Sequence, residues 1–291
     1  MNFIFDISWG ILTLLTWGIA DFLVRGIALR IGSSSTAFFV QSIGVVVPAT
    51  ALGVLFFSSG LGPVAWTNLI WLAPVNALLA SLAYVIYYTG LERGSVSVVS
   101  SVASAWLLVA VLVGALVLNE TVSSEQRVLI AVVLAGIVTI GVQPGEGNGK
   151  SSGIAYGLGA MLLLGVALAL SKPLTEAAGP FLAVLTTRMI TSLFTFGLVR
   201  ARSQKLRWPS HRLDMWVLIA AGLLDAAGFV AYNIGLDRAS VVVMAPIAAA
   251  HPLATIVLAM VVLRERPKLF QAIGIVVTLI GVIALSFVSP G

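Results

Sequence analysis

Asp225 stands inside the apolar run GLLDAAGF, and Asp21 follows Trp17 by one helical turn in TWGIADF. A carboxylate near a bilayer centre costs about 2.5 to 3.5 kcal/mol on insertion scales, so each such group needs a protein partner or a watery cavity. Asp225 has no acidic or basic neighbour within a turn and is the first candidate for a proton-carrying or cation-recognising group. Asp21 has Arg25 four residues on, and an i,i+4 ion pair is its ordinary structural use. His251, in AAAHPLAT, can hold a substrate amine or a proton and is the second candidate coupling group beside Asp225. Trp17 and Trp106 fall in mid-run, where an indole can stack on an apolar solute or hold an amine by cation–π contact. Tyr84, Tyr87 and Tyr88, with Tyr232 and Asn233, can form a polar aromatic wall, and Ser97, Ser100, Ser101 and Ser104 form a polar stripe at helical spacing. Such small residues equally serve close packing. Lys172 and Arg188 would favour a substrate carboxylate if they face inward, and otherwise reach for the interface.

These residues need long apolar helices to position them. The chain of 291 residues is 59% hydrophobic and 9% charged, with a mean hydropathy of +1.09. Soluble domains carry about 25% charged residues, so this is an integral membrane protein. Apolar runs of about 20 residues with internal glycines point to helices rather than to the alternating strands of a barrel. Ten spans are predicted, at approximately 7–28, 36–57, 66–90, 96–118, 125–143, 153–175, 181–199, 213–236, 241–263 and 268–288. Cysteine is absent, which excludes disulfides and thiolate metal sites. The small net charge of +5 lies mainly in loops and implies no nucleic-acid partner. MNFIFD has no basic stretch, so the first apolar segment is expected to be retained as a span.

The chain also repeats itself. Residues 84–142 lie over 229–287 without a gap, with Gly90/Gly235, Arg93/Arg238, Ser95/Ser240, Glu120/Glu265, Gln126/Gln271 and Gly136/Gly281 identical. Trp106 and His251 take equivalent places. Gly10, Gly18, Ala20 and Gly32 lie over Gly157, Gly165, Ala167 and Gly179. The turn-rich stretch 143–152 separates the halves, giving five-helix repeats at 1–145 and 146–291. With an odd number of spans each, the second enters the membrane upside down, as in many secondary transporters. Glu120, Gln126, Glu265 and Gln271 sit in turns where they can cap the following helix. Trp9, Trp66, Trp71, Trp208 and Trp216 fall near span ends and read as interfacial anchors. Pro246 and Pro252 are expected to kink the ninth span.

TWGIADF, GLERGSVSVVSS and the NET…Q…G hairpin resemble the EamA family of the drug/metabolite transporter superfamily, over essentially the whole chain. The resemblance implies a central cavity lined by helices 1–4 and 6–9, peripheral helices 5 and 10, and alternating-access carriage of a small metabolite such as an amino acid, amine or related solute, often outward. The expected function is secondary transport in the cell membrane by a monomer or homodimer, with membrane lipids and a small solute as partners, protons as coupling ions, and no cofactor or metal. The alternative is a polytopic enzyme acting on a lipid or isoprenoid phosphate, which would want acidic, His or Arg residues clustered near one membrane face. Basic residues flank the odd-numbered connections, so the positive-inside rule places both termini outside, whereas ten-helix relatives keep them inside.

Overall fold

The computed structural model describes residues 3–60, 62–93, 99, 102–141, 151–201, 203, 205–262, 269–285 and 287–288. Every regular element among them is helical. The helices are α1 (Phe3–Ile31), α2 (Ser33–Gly44), α3 (Val46–Ser59), α4 (Trp66–Arg93), α5 (Trp106–Leu116), α6 (Ser124–Gly141), α7 (Ser151–Ala201), α8 (Arg212–Arg238), α9 (Val241–Ala249), α10 (Pro252–Val262) and α11 (Leu269–Leu285). Among the described residues six stretches are long and apolar enough to cross a membrane, at 7–31, 33–58, 66–90, 155–201, 212–238 and 241–262. Large apolar side chains such as Val54, Phe57, Leu116, Leu193 and Ile283 are exposed on outer faces, as suits a chain whose solvent is lipid. Trp66, Trp71, Trp208 and Trp216 are exposed as well, while Trp9 packs against the core.

Helix breaks follow proline and glycine chemistry. Pro48 cannot donate to the Gly44 carbonyl, and the predicted second span divides there into α2 and α3. The α7 segment bends at Gly179, where φ is 72° and ψ is 162°, and resumes with Pro180 at its first turn. Gly32, at the junction of α1 and α2, has nearly the same conformation, with φ 88° and ψ 152°. Both are regions open almost only to glycine, so the repeat uses one hinge twice. The ninth span breaks at Ala250 and His251, where Ala250 N–H donates to Ile247 at 3.2 Å and His251 N–H to Ala248 at 3.1 Å. Pro252 opens α10 just after, whereas Pro246 lies within α9 without ending it. The equivalent break falls at Ala105, whose N–H donates to Val102 at 3.2 Å before α5 opens at Trp106.

Glycines then show how the halves join. A Cβ on Gly18 would meet Ala254 and the His251 carbonyl, and one on Gly165 would meet Val109 and the Trp106 carbonyl. These are the same pair of contacts in repeat-equivalent positions. Gly10 against Ile247 matches Gly157 against Val102, and Gly136 against Thr278 matches Gly281 against Val133. A contact from first half to second, returned from second to first at equivalent positions, is what a two-fold relation generates. The close approach of backbones at small residues is what holds membrane helices together where burial from water supplies little drive.

Glu120 reinforces this junction in an unforeseen way. Its carboxylate accepts from Val241 N–H at 2.9 Å and Val242 N–H at 3.1 Å, capping α9 of the other half rather than the helix that follows it. The α6 cap is a reciprocal box instead, with Ser123 N–H donating to Gln126 Oε1 at 2.9 Å and Gln126 N–H to Ser123 Oγ at 3.1 Å. Residues 143–150, Ser95, Ser97, Ser100, Ser101, Glu265 and the side chain of Gln271 lie outside the described residues.

Candidate functional site

Two adjoining cavities lie where α1, α2, α4, α7 and α8 face one another. The first, which leaves about 30 Å³ for the centre of a water-sized sphere, is lined by Gln41, Asn76, Tyr84, Ser171, Arg188 and Thr191 among others. The second, about 50 Å³ by the same measure, is lined by Trp17, Asp21, Tyr84, Tyr87, Ser104, Trp106, Asp225 and His251 with a few apolar side chains. Tyr84, Leu164, Leu168 and Phe229 belong to both.

Asp225 stands at the boundary between them. Arg188 Nη2 donates to its Oδ2 at 2.6 Å, and Tyr84 OH to its Oδ1 at 3.5 Å. The ion pair is almost wholly buried, with side-chain exposures of 3% and 11%. Asp225 has no basic residue within a turn along its own helix; its partner Arg188 comes from another helix, two turns inside the second arm of α7. Arg188 Nη1 also donates to Gln41 Oε1 at 3.3 Å, and the guanidinium lies 4.9 Å from the Phe229 ring centre. Gly44 lets it pass, since a Cβ there would meet Nη1.

Asp21 corrects a second expectation. It forms no ion pair with Arg25, whose side chain points outward; its Oδ2 is 3.3 Å from His251 Nε2 and accepts from Tyr87 OH at 3.4 Å. Residues four apart on a helix are offset by about 40°, enough for Asp21 to face the bundle while Arg25 leaves it. His251 Nδ1 is 3.2 Å from the Ala248 carbonyl oxygen, which can only accept, so Nδ1 carries a hydrogen. Ser104 Oγ approaches Nε2 at 3.4 Å.

An aromatic group closes the second cavity. Trp17 lies 6.3 Å from Trp106 in an edge arrangement, 5.7 Å from Tyr232, 4.9 Å from Phe229 and 6.0 Å from His251. Trp17 Nε1 donates to the Asp225 main-chain oxygen at 3.3 Å. The chain break at Ala105 and its equivalent at Ala250 turn Trp106 and His251 inward, one from each half.

Trp17, Asp21, Tyr84, Trp106, Asp225 and His251 therefore line one cavity. Tyr232 packs behind the indoles, and its hydroxyl is buried without a partner. Tyr88 stacks behind Tyr84 and Tyr87 and does not line either cavity. Lys172 departs from its expected place: its ammonium donates to the Leu236 carbonyl at 2.9 Å and the Ala239 carbonyl at 3.1 Å, with Glu176 at 3.6 Å. The end of α8 offers free carbonyls, and a cation there is drawn to them rather than to the cavities. Ser101 lies outside the described residues; Ser104, the described member of its stripe, lines the second cavity. Gln41 and Asn76 were missed; each is a lone amide in an apolar run, FFVQSIG and APVNALLA, and that was the available signal.

The profile of the EamA-like transporter family matches residues 4–142 and again 151–287. The chain belongs to this family. The EamA match falls twice, on the two stretches that exchange the glycine contacts described above. No curated protein sequence matches the chain. A solved structure described as "Crystal structure of protein" is similar over 96% of this chain and 95% of its own, with 17% identity and a TM-score of 0.77, a likeness of fold. As an EamA family member the protein is a multi-pass, all-helical membrane protein of a transporter family.

Proposed function

We propose that the protein is a secondary active transporter that moves a small organic metabolite, such as an amino acid, an amine or a related solute, outward across the cell membrane by alternating access. The proposed frame is ten spans in two inverted five-helix repeats, residues 1–145 and 146–291, with no enzymatic step. One observation carries this reading: the cavities at the interface between the halves hold the ion pair Arg188–Asp225 and the Asp21–His251 contact beside a pair of indoles. Charged side chains are kept in membrane helices mainly where they serve a pathway, and binding at the junction of repeats lets one half rock against the other around a fixed site. Asp225 and His251 are the proposed coupling groups. The alternative of lipid-phosphate chemistry is not favoured: among the described residues no three His, Asp or Glu side chains gather as a metal site would need.

The test is a thermal-shift screen of purified protein against amino acids, amines, nucleosides, sugars and organic acids, followed by counterflow of each stabilising solute in proteoliposomes. Saturable counterflow is expected for at least one class, and its accumulation under an imposed pH gradient should be lost in Asp225→Asn. Stabilisation without counterflow for any solute would reject the transporter reading. Equal accumulation by Asp225→Asn would reject Asp225 as a coupling group.

A further inference from the structure

Several polar groups around the first cavity are bonded to the main chain, and two buried donors are left over. Asn76 Nδ2 donates to the Ala167 carbonyl at 2.6 Å, Ser171 Oγ to the same carbonyl at 3.2 Å, and Thr191 Oγ1 to the Ala77 carbonyl at 3.3 Å. Arg188 Nε and Gln41 Nε2 are buried with no partner. Both residues are 2% exposed, both line the cavity, and a hydrogen bond between their other atoms holds them side by side. Buried donors without acceptors are costly, and the group that fits beside two of them is an acceptor. A guanidinium pairs best with a carboxylate, through two parallel N–H···O bonds.

Charge then decides what else must happen. Arg188 supplies one positive charge, and Asp225 already neutralises it. A second carboxylate on the same guanidinium would leave the buried site with a net negative charge, which is relieved when one of the two acids is protonated. Asp225 is the group that can be released. It also lines the second cavity, where a proton can reach it. The titratable or charged groups facing it are Arg188 from α7, Tyr84 from α4, and Asp21 with His251 across that second cavity.

We propose that the first cavity is a carboxylate subsite, in which the substrate's carboxylate and Asp225 compete for Arg188, so that each carboxylate bound is accompanied by one proton taken up on Asp225. The inference rests on the transporter reading and narrows its substrate to a solute bearing a carboxylate. The balance is simple. One anion and one proton enter, no bond in the substrate changes, and the charge of the site is the same before and after. Phe229, shared by both cavities, offers its ring to the apolar part of the solute, with Gln41 Nε2 the second donor to its carboxylate.

Full-length protein in detergent is titrated calorimetrically with acetate, butyrate, benzoate and phenylacetate, and with phenylacetamide and phenethylamine as neutral and cationic counterparts. At least one carboxylate should bind, with phenylacetamide weaker by tenfold or more than phenylacetate. Enthalpies in two buffers of different ionisation heat should report one proton taken up per carboxylate, and affinity should fall by about tenfold per pH unit where that uptake occurs. Asp225→Asn removes the competitor, so it should bind carboxylate more tightly and without proton uptake. The charge-neutral pair Arg188→Gln with Asp225→Asn should lose the preference for carboxylate over amide, and Arg188→Lys provides a second variant that keeps the charge. The proposal is overturned if no carboxylate binds, if the amide binds equally, or if Asp225→Asn weakens binding or leaves the uptake unchanged. Counterflow of an amine or neutral solute without carboxylate binding would sink this proposal and leave the transporter reading standing; absence of counterflow for every solute class would sink both.

Discussion

His251 Nε2 lies 3.3 Å from Asp21 Oδ2 while its Nδ1 lies 3.2 Å from the Ala248 carbonyl oxygen, so one imidazole joins α1 to the break between α9 and α10.

Gly136 and Gly281 occupy reciprocal places between α6 and α11, each against the backbone of the other helix. Valine at either position would force the helices apart, and overpacking of this kind costs about 1–3 kcal/mol. Unfolding in detergent should show similar losses for Gly136→Val and Gly281→Val. Solute binding by the folded fraction should be unaffected, because neither helix lines the cavities.

Glu120 caps α9 across the boundary between the halves. Glu120→Ala should destabilise the fold by about 1–2 kcal/mol through loss of a charge-assisted cap. Glu120→Gln, which keeps one oxygen acceptor, should lose less. Equal losses in the two variants would indicate that the carboxylate charge, not its hydrogen bonding, holds the helix start.

The loop carrying Lys205, Arg207 and Arg212 is the most basic stretch of the chain, and the positive-inside rule assigns it to the cytoplasm. A reporter fused at the C-terminus is therefore expected on the non-cytoplasmic side. Cytoplasmic activity there would show that the arrangement usual among ten-helix relatives overrides the local charge.

Composition and repetition alone determined that the chain is a helical membrane protein built by duplication, because apolar runs of span length and identical residues at a fixed offset are one-dimensional signals. The positions of Trp17, Asp21, Trp106, Asp225 and His251 within their runs were enough to nominate a site, since depth in the membrane can be counted along a helix. Partnership could not be counted that way. Asp225 meets Arg188 at a separation of 37 residues and Asp21 meets His251 at 230, while Arg25, the neighbour along the helix, turns outward. The same holds for Glu120, which caps a helix 121 residues away, and for Lys172, drawn to the open end of α8. Charges in a membrane interior are matched by whatever the packing of helices brings within reach, and that packing is set by small residues meeting across the two halves rather than by spacing along either one.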